Sequence, residues 1–310
     1  MYKPSKRERL QAAVEGHSVD RVPVGLWCHF PLANSSGRAL AEAEMDFAKK
    51  YDPDFLKVMN DLPLNLPEGM ERIENPEDWF KLRPLDPKSG SFGAQLETLR
   101  ILKQNISPDM PIIDTVSGPF SAANKLCGKR LLAHLDANPE AVRHGLQSIA
   151  VSLADYASTW MDAGGDGIFY ALDGAQLSRM SEDEYAGVFL PLDRIVLQAA
   201  MEKGTFNVLH LHGANLMFDL VHNLPAHVLN WSSRITYPSL GEARGIHTGC
   251  IAGGIDETTI DKKSPVDVFD EARRAIAEAG ANSFILAPGF AVPTDTPEEN
   301  LLAVRSAVEA

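Results

Sequence analysis

The chain has little cysteine and no surplus of basic residues. Its 310 residues include only three cysteines, Cys28, Cys127 and Cys250, which are widely spaced and form no Cys-x-x-Cys pair. So small and odd a set argues against a disulfide framework and favours a reduced, cytoplasmic compartment. The formal net charge of −13 argues against a nucleic-acid partner, because binding to phosphates requires a basic surface.

Long hydrophobic runs are also missing. No uninterrupted apolar stretch approaches the roughly 20 residues that span a bilayer, and the charged first residues are not followed by the apolar segment of a signal peptide. We therefore expect no membrane association. Hydrophobic residues still make up 45% of the chain, which at this length is enough for one large core.

Short apolar runs alternate with longer amphipathic segments, the pattern of repeated βα units. The predicted strands are 22–27, 54–59, 111–116, 166–170, 205–210, 226–231, 249–253 and 282–287. The predicted helices are 38–50, 139–162, 182–202, 215–223, 265–279 and 297–309. Eight strands with intervening helices predict a single (β/α)8 TIM barrel over residues 1–310, with an insertion around 60–110. A doubly wound open sheet is the alternative.

Two histidines at the end of one predicted strand are the strongest local signal. His210 and His212 are two residues apart, so in a strand both imidazoles face the same side. The carboxyl end of a strand in a parallel barrel is where ligands bind. Paired imidazoles there suit a zinc ion, but two neutral histidines that hydrogen-bond to substrate or backbone would give the same pattern.

Polar side chains and turns also follow the other predicted strands, and we expect them at the same mouth. The candidates are Cys28, His29, Asp61, Gly118, Asp173 and Phe290. Asp173 precedes a glycine, which is equally typical of an Asx-type turn. Cys250 begins its strand and is therefore expected near the opposite end of the barrel.

Several motifs, spread in order over nearly the whole chain, resemble one family. They are Arg7 and Gly16 followed by Asp20-Arg21-Val22-Pro23-Val24, then Asn60-Asp61-Leu62, Ser117-Gly118-Pro119-Phe120, Leu209-His210-Leu211-His212-Gly213, Gly253-Gly254-Ile255-Asp256, and Pro288-Gly289-Phe290. The chain thus resembles the uroporphyrinogen decarboxylase superfamily, which also contains methylcobalamin:coenzyme M methyltransferases. The resemblance implies a (β/α)8 barrel, a cleft at its carboxyl face and a homodimer.

The methyltransferase branch of that superfamily implies a zinc site that binds a thiol substrate, which then accepts the methyl group of a methylcorrinoid. In that branch His210 matches a family histidine, His212 stands where the first family cysteine would be, and Phe290 stands in place of the second. A third zinc ligand would have to come from Cys28, His29, Asp61 or Asp173. The chain has no Asp-x-His-x-x-Gly motif, so any corrinoid would arrive free or on a separate protein.

The decarboxylase branch is the alternative. There Asp61 matches the aspartate that hydrogen-bonds the pyrrole nitrogens, but Cys28 and His29 stand where the family's substrate-binding arginines would be. A non-catalytic protein that binds a tetrapyrrole or corrinoid is the third hypothesis. We favour the methyltransferase, with Asp61, His210 and His212 as catalytic residues. Cys28, His29, Gly118, Asp173 and Phe290 are expected to contact a small-molecule substrate.

Overall fold

Seven parallel strands curl around a common axis in the computed structural model, which describes residues 3–31 and 36–309. Neighbours in the sheet follow the order of the sequence, as in a barrel. The strands are β1 (Leu56–Val58), β2 (Ile112–Ser117), β3 (Gly167–Leu172), β4 (Val208–Leu211), β5 (Val228–Trp231), β6 (Cys250–Ile255) and β7 (Phe284–Pro288). The predicted α/β barrel is therefore confirmed.

The predicted first strand, 22–27, lies in the gap between β7 and β1 but does not form a regular strand. Val24 forms a parallel bridge with Leu286, and Gly25 N donates to Leu286 O at 2.9 Å. On the other side, Asp54 N donates to the carbonyl of Val24 at 2.8 Å. Pro23 has no N–H to extend the ladder. This segment therefore closes the barrel with isolated bridges.

Helices cover the outside of the sheet, except the first, whose Leu10 packs into the core inside the barrel. The α-helices are α1 (Lys6–Val14), α2 (Gly37–Tyr51), α3 (Gly90–Asn105), α4 (Pro119–Cys127), α5 (Leu131–Ala137), α6 (Pro139–Asp162), α7 (Glu182–Val188), α8 (Leu190–Lys203), α9 (Phe218–Val221), α10 (Leu240–Ile246), α11 (Pro265–Ala279) and α12 (Glu298–Ala307). Short 3₁₀-helices cover Pro76–Lys81 and Ile260–Lys262. Within the described ranges, no helix is long and apolar enough to cross a membrane.

One predicted helix, 182–202, is two helices in the structure. Pro191 lies in the first turn of α8, where its missing N–H costs nothing, but inside a continuous helix it would remove a hydrogen bond. The chain therefore ends α7 at Val188 and begins α8 at Leu190.

The segment 60–110, which was expected to be an insertion, contains α3. This helix packs against α2 and lies in the connection from β1 to β2.

The strands have two buried faces. Their outward side chains pack against the helices, and the inward ones form a separate core on the barrel axis. That inner core consists of Leu10, Trp27, Phe55, Ile113, Phe169, Phe206, Val208, Val228, Cys250, Ala252, Ile285 and Ala287. Because alternate residues of a strand share a face, His210 and His212 point inward like Val208. Toward the carboxyl end of the strands, the side chains on the barrel axis are polar instead of apolar.

The amino-terminal motif fastens α1 and the closing segment to the barrel. Asp54 is fully buried just before β1. Its carboxylate accepts from Arg9 Nη1 at 2.8 Å, from Arg21 Nη1 at 2.7 Å and from Val24 N at 2.8 Å. Arg9 also forms a two-pronged pair with Asp20. These residues therefore stabilise the fold and lie away from the carboxyl end of the strands.

Candidate active site

A cleft of about 760 Å³, counting space open to solvent, lies at the carboxyl end of the strands. We call it the mouth cleft. Its walls include Trp27, His29, Lys57, Met59, Asn60, Asp61, Thr115, Ser117, Ser121, Lys125, Phe169, Ala171, Asp173, His212, Phe290 and Ala291. The structure thus brings five of the predicted site residues to one cleft: His29, Asp61, Asp173, His212 and Phe290.

His210, predicted to face the mouth with His212, is instead fully buried on β4 and is not part of the cleft wall. Its protonation state follows from its neighbour Asn230. The side-chain amide of Asn230 donates to the carbonyls of Ala252 at 3.0 Å and Pro288 at 3.1 Å. Its Oδ1 therefore faces His210 Nδ1, 2.8 Å away, and must accept a hydrogen from it. The proton of the neutral ring is thus on Nδ1, and Nε2 carries a lone pair.

The Nε2 atom of His210 has no hydrogen-bond partner among the described residues. The ring stacks on Phe169, with centroids 5.2 Å apart. Burial, together with nearby His212, lowers the pKa of His210 to about 3, so the ring is neutral at physiological pH. A buried nitrogen with an unused lone pair can accept a hydrogen bond or bind a metal.

His212 and Phe290 lie beside His210 and form part of the cleft wall. The His212 ring centroid is 5.7 Å from that of His210 and 4.8 Å from that of Phe290. The Phe290 centroid is 5.7 Å from that of His210, although the side chain remains partly exposed. An aromatic ring therefore lies against both histidines where the family resemblance implies a cysteine.

The expected three-ligand zinc centre is not assembled. In residues 3–31 and 36–309, no three His, Cys, Asp or Glu side chains come together in a way that could hold a metal ion. A zinc ion in a catalytic site normally has three protein ligands, and Phe290 cannot supply one. The residues present therefore do not fit such a centre, even though Nε2 of His210 is free to bind.

Asp61 and His29 form a pair at the rim of the cleft. His29 Nδ1 and Asp61 Oδ2 are 3.1 Å apart. The hydrogen bond from His29, followed by the positive charges of Lys57 and Lys125, lowers the pKa of Asp61. Asp61 is thus an ionised carboxylate near neutral pH, suited to orienting a partner.

Asp173 also lies on the cleft wall, and both predicted interpretations of it have structural support. Its Oδ1 accepts from the N–H of Gly174 at 2.8 Å, as in an Asx-type turn, and from Gln176 Nε2 at 3.1 Å. Arg179 lies 3.6 Å away. The side chain nevertheless forms part of the cleft wall, so it can contact a ligand as well as hold the turn.

Cys28 and Gly118 lie outside the cleft wall. Burial raises the pKa of the Cys28 thiol to about 11, which leaves little thiolate for binding a metal. Gly118 is the N-cap of α4, and a Cβ there would come within 3.0 Å of the Tyr170 hydroxyl. Its small size thus serves packing. Cys250 is buried at the start of β6, as predicted.

Lys57 is a cleft residue that the sequence analysis missed. It lies on the inner face of β1, is only 4% exposed, and contributes to the mouth cleft. A usable signal exists in the sequence: Lys57 is the single basic residue of the otherwise largely apolar run 54–59, and its alternation with Phe55 places it on the inner face.

The fold and this site define a parallel α/β barrel with its ligand cleft at the carboxyl face. The chain belongs to the uroporphyrinogen decarboxylase (URO-D) family, whose model matches residues 5–310. This confirms the family that the motifs indicate.

Similar proteins include both branches of the superfamily. The methylcobamide:CoM methyltransferase MtbA of Methanosarcina acetivorans is 24% identical over 230 residues, which are 74% of this chain and 67% of that protein. A uroporphyrinogen decarboxylase of Carboxydothermus hydrogenoformans is 24% identical over 243 residues, with the same two coverages. The solved structure of a methyltransferase from Methanosarcina mazei superimposes with a TM-score of 0.77 at 22% identity and covers 98% of both chains, which confirms the fold.

Proposed function

We propose that this chain is a methyltransferase that moves a methyl group between a corrinoid and a small thiol or similar acceptor in the mouth cleft. The observation that carries the proposal is the pair of histidines at the barrel mouth. His212 lies on the cleft wall, and His210 is buried beside it as a neutral imidazole with an unused Nε2 lone pair. Similarity to methylcobamide:CoM methyltransferases supports the choice of reaction.

In this proposal His212 removes the proton of the acceptor. Its half-buried ring is on the cleft wall and makes no side-chain hydrogen bond in the described part of the chain. The acceptor thiol gives its proton to His212, and its sulfur forms the new bond to the methyl carbon. The methylcorrinoid, a substrate, gives up the methyl group, and the electron pair of the broken cobalt–carbon bond stays on cobalt. No step requires a zinc ion.

The other cleft residues bind and orient. His210 stays neutral at working pH and packs beside His212, so it supports the His212 ring and does not itself contact the substrate. Asp61 holds His29 at the rim, and Phe290 gives the acceptor an apolar surface beside both histidines. The corrinoid is free or carried by a separate protein, and a homodimer stays a prediction from the family resemblance.

Decarboxylation is the second candidate, because Asp61 is ionised at the mouth of the cleft and a uroporphyrinogen decarboxylase is among the relatives. A tetrapyrrole with several carboxylates needs a strongly cationic site. Among the described residues, the wall of the mouth cleft includes two lysines, Lys57 and Lys125, and no arginine. The charge of the cleft therefore favours a smaller substrate.

The test is methyl transfer by purified protein from methylcobalamin to a panel of thiols, with methylated products measured by mass spectrometry. We expect His212→Ala to lower the rate by about 10²-fold or more, as for loss of a general base. His17→Ala is the matched control, since that histidine is exposed and lies away from the cleft. Absence of methylated thiol with the wild type, or equal rates for both variants, would contradict the proposal.

A further inference from the structure

The floor of the mouth cleft contains the buried amino group of Lys57, which forms no ion pair with any of the described residues. Lys57 Nζ lies 4.7 Å from the ring centroid of Phe169 and 6.0 Å from that of Trp27. Its nearest polar contact is the Met59 sulfur at 3.0 Å. No carboxylate forms an ion pair with it in the described part of the chain. Keeping a charge in such a place is costly.

The acidic groups behind Lys57 do not neutralise it fully. Glu44 is buried and accepts from Met59 N at 2.8 Å, while Asp114 accepts from Tyr156 and Gln95. Burial raises the pKa of Glu44 and that of Asp114, the latter to about 7, and it lowers the pKa of Lys57, against the opposing effect of the Glu44 and Asp114 charges. Both carboxyl groups are thus protonated to a substantial extent near neutral pH.

In the cleft itself the acids are paired and the lysines are not. Asp61 pairs with His29 and Asp173 lies 3.6 Å from Arg179. Lys125 is exposed at the rim, and no ion-pair partner is found for it within residues 3–31 and 36–309. An acidic chain with net charge −13 therefore has a cleft with two unpaired cations, one at the floor and one at the rim. Such a field attracts anions.

Next to the mouth cleft lies a narrow side pocket, about 490 Å³ counting space open to solvent, formed with the segment that follows β1 and apolar on one part of its wall. Its walls include Leu62, Leu64, Phe92, Leu153 and Tyr156. It shares Asn60, Thr115, Ser117 and Lys125 with the mouth cleft, so the two spaces adjoin. A ligand that fills both would have one charged end and one hydrocarbon end.

We propose that Lys57 is the anion-binding residue of the cleft and that the small substrate is a monoanionic organic acid with an apolar part. The acid group contacts the Lys57 ammonium, and the hydrocarbon lies in the side pocket. A phosphate would call for several converging donors, such as arginine forks or successive backbone amides. The floor offers one ammonium, with the hydroxyls of Ser117 and Ser121 on the wall.

This inference rests on the proposed function for the place of the substrate, but its test measures binding and needs no turnover. The probes are straight-chain and phenyl-substituted carboxylates of increasing length, each paired with its neutral amide and its sulfonate analogue. Calorimetry with the full chain should show that acids bind and amides bind more weakly. Lys57→Met should weaken binding of the acids by about tenfold to a hundredfold, the usual cost of a lost hydrogen bond to a charge. Binding of amides should change little.

The controls separate binding from folding. Lys203→Met changes an exposed lysine paired with Asp162 and should leave the affinities unchanged. Lys57→Met should keep or raise the melting temperature, because it removes a buried charge without orphaning a partner. A wild type that binds every amide as well as its acid would overturn the inference. So would a Lys57→Met protein that melts normally and retains full affinity for the acids, or one that unfolds, which would show a structural lysine. Preference for sulfonates over carboxylates would identify which acid group Lys57 binds.

Discussion

The buried carboxylate of Asp54 offers the sharpest stability test, because a second aspartate two residues away provides a matched control. Asp54 is 0% exposed and accepts hydrogen bonds from two arginines and from Val24 N. Asp54→Asn removes the charge and turns an amide NH₂ toward guanidinium donors. Breaking a buried ion pair by removing one partner costs about 3–5 kcal/mol, a large share of a typical ~5–15 kcal/mol stability.

Asp52 ends α2 with its side chain 56% exposed, and it pairs with Lys6 and Arg305. Its φ of 44° is left-handed, a conformation that asparagine tolerates, so Asp52→Asn changes the charge without adding backbone strain. Exposed ion pairs contribute about 0–1 kcal/mol. Urea unfolding followed by circular dichroism should therefore show a much larger loss for Asp54→Asn than for Asp52→Asn. Equal losses would refute the role given to the Asp54 network.

Three further predictions concern protonation and metal binding. Nitrogen NMR of His210 should show hydrogen on Nδ1, none on Nε2, and no titration above about pH 5, since its pKa is lowered to about 3; protonation near pH 6.5 would contradict this. Phe290→Cys should let the protein bind stoichiometric zinc with His210 and His212, while wild type binds much less, as measured by mass spectrometry of the metal; no uptake by the variant would contradict the geometry. Burial raises the pKa of Asp193 to about 7. The folded protein therefore favours the protonated carboxyl group, and this contribution to the free energy of unfolding is full below about pH 4 and is lost as the pH rises through about 7. Asp193→Asn should make the unfolding free energy depend less on pH in this range, and an unchanged pH dependence would contradict the raised pKa of Asp193.

Much of the fold could be predicted because local signals and the βα pattern agree. Helix α6 occupies the predicted 139–162, since Asn138 accepts from Ala141 N and Pro139 lies in the first turn. The first strand was predicted from its apolar pattern, yet it forms only isolated bridges. What completes it is non-local, namely the bridge to Leu286 and the contact with Asp54.

The site was harder to predict than the fold. Strand alternation predicted both histidines at the mouth, but His212 lies on the cleft wall while His210 is buried beside it. The resemblance brought Asp61 and Phe290 to the same cleft. No pattern in the sequence could show that Asn230 fixes the protonation of His210, because that depends on two carbonyls from other strands. The same holds for Lys57, because only the three-dimensional structure shows that it forms no ion pair within residues 3–31 and 36–309.

The central claim, methyl transfer from a corrinoid in this cleft, is tested most directly by the absorbance spectrum of methylcobalamin mixed with stoichiometric protein. The account predicts that the methylcobalamin spectrum is lost when a thiol acid is added, that the loss needs the protein, and that His212→Ala slows it strongly. A spectrum that decays no faster with the protein than without it, across the thiol panel, would contradict the account.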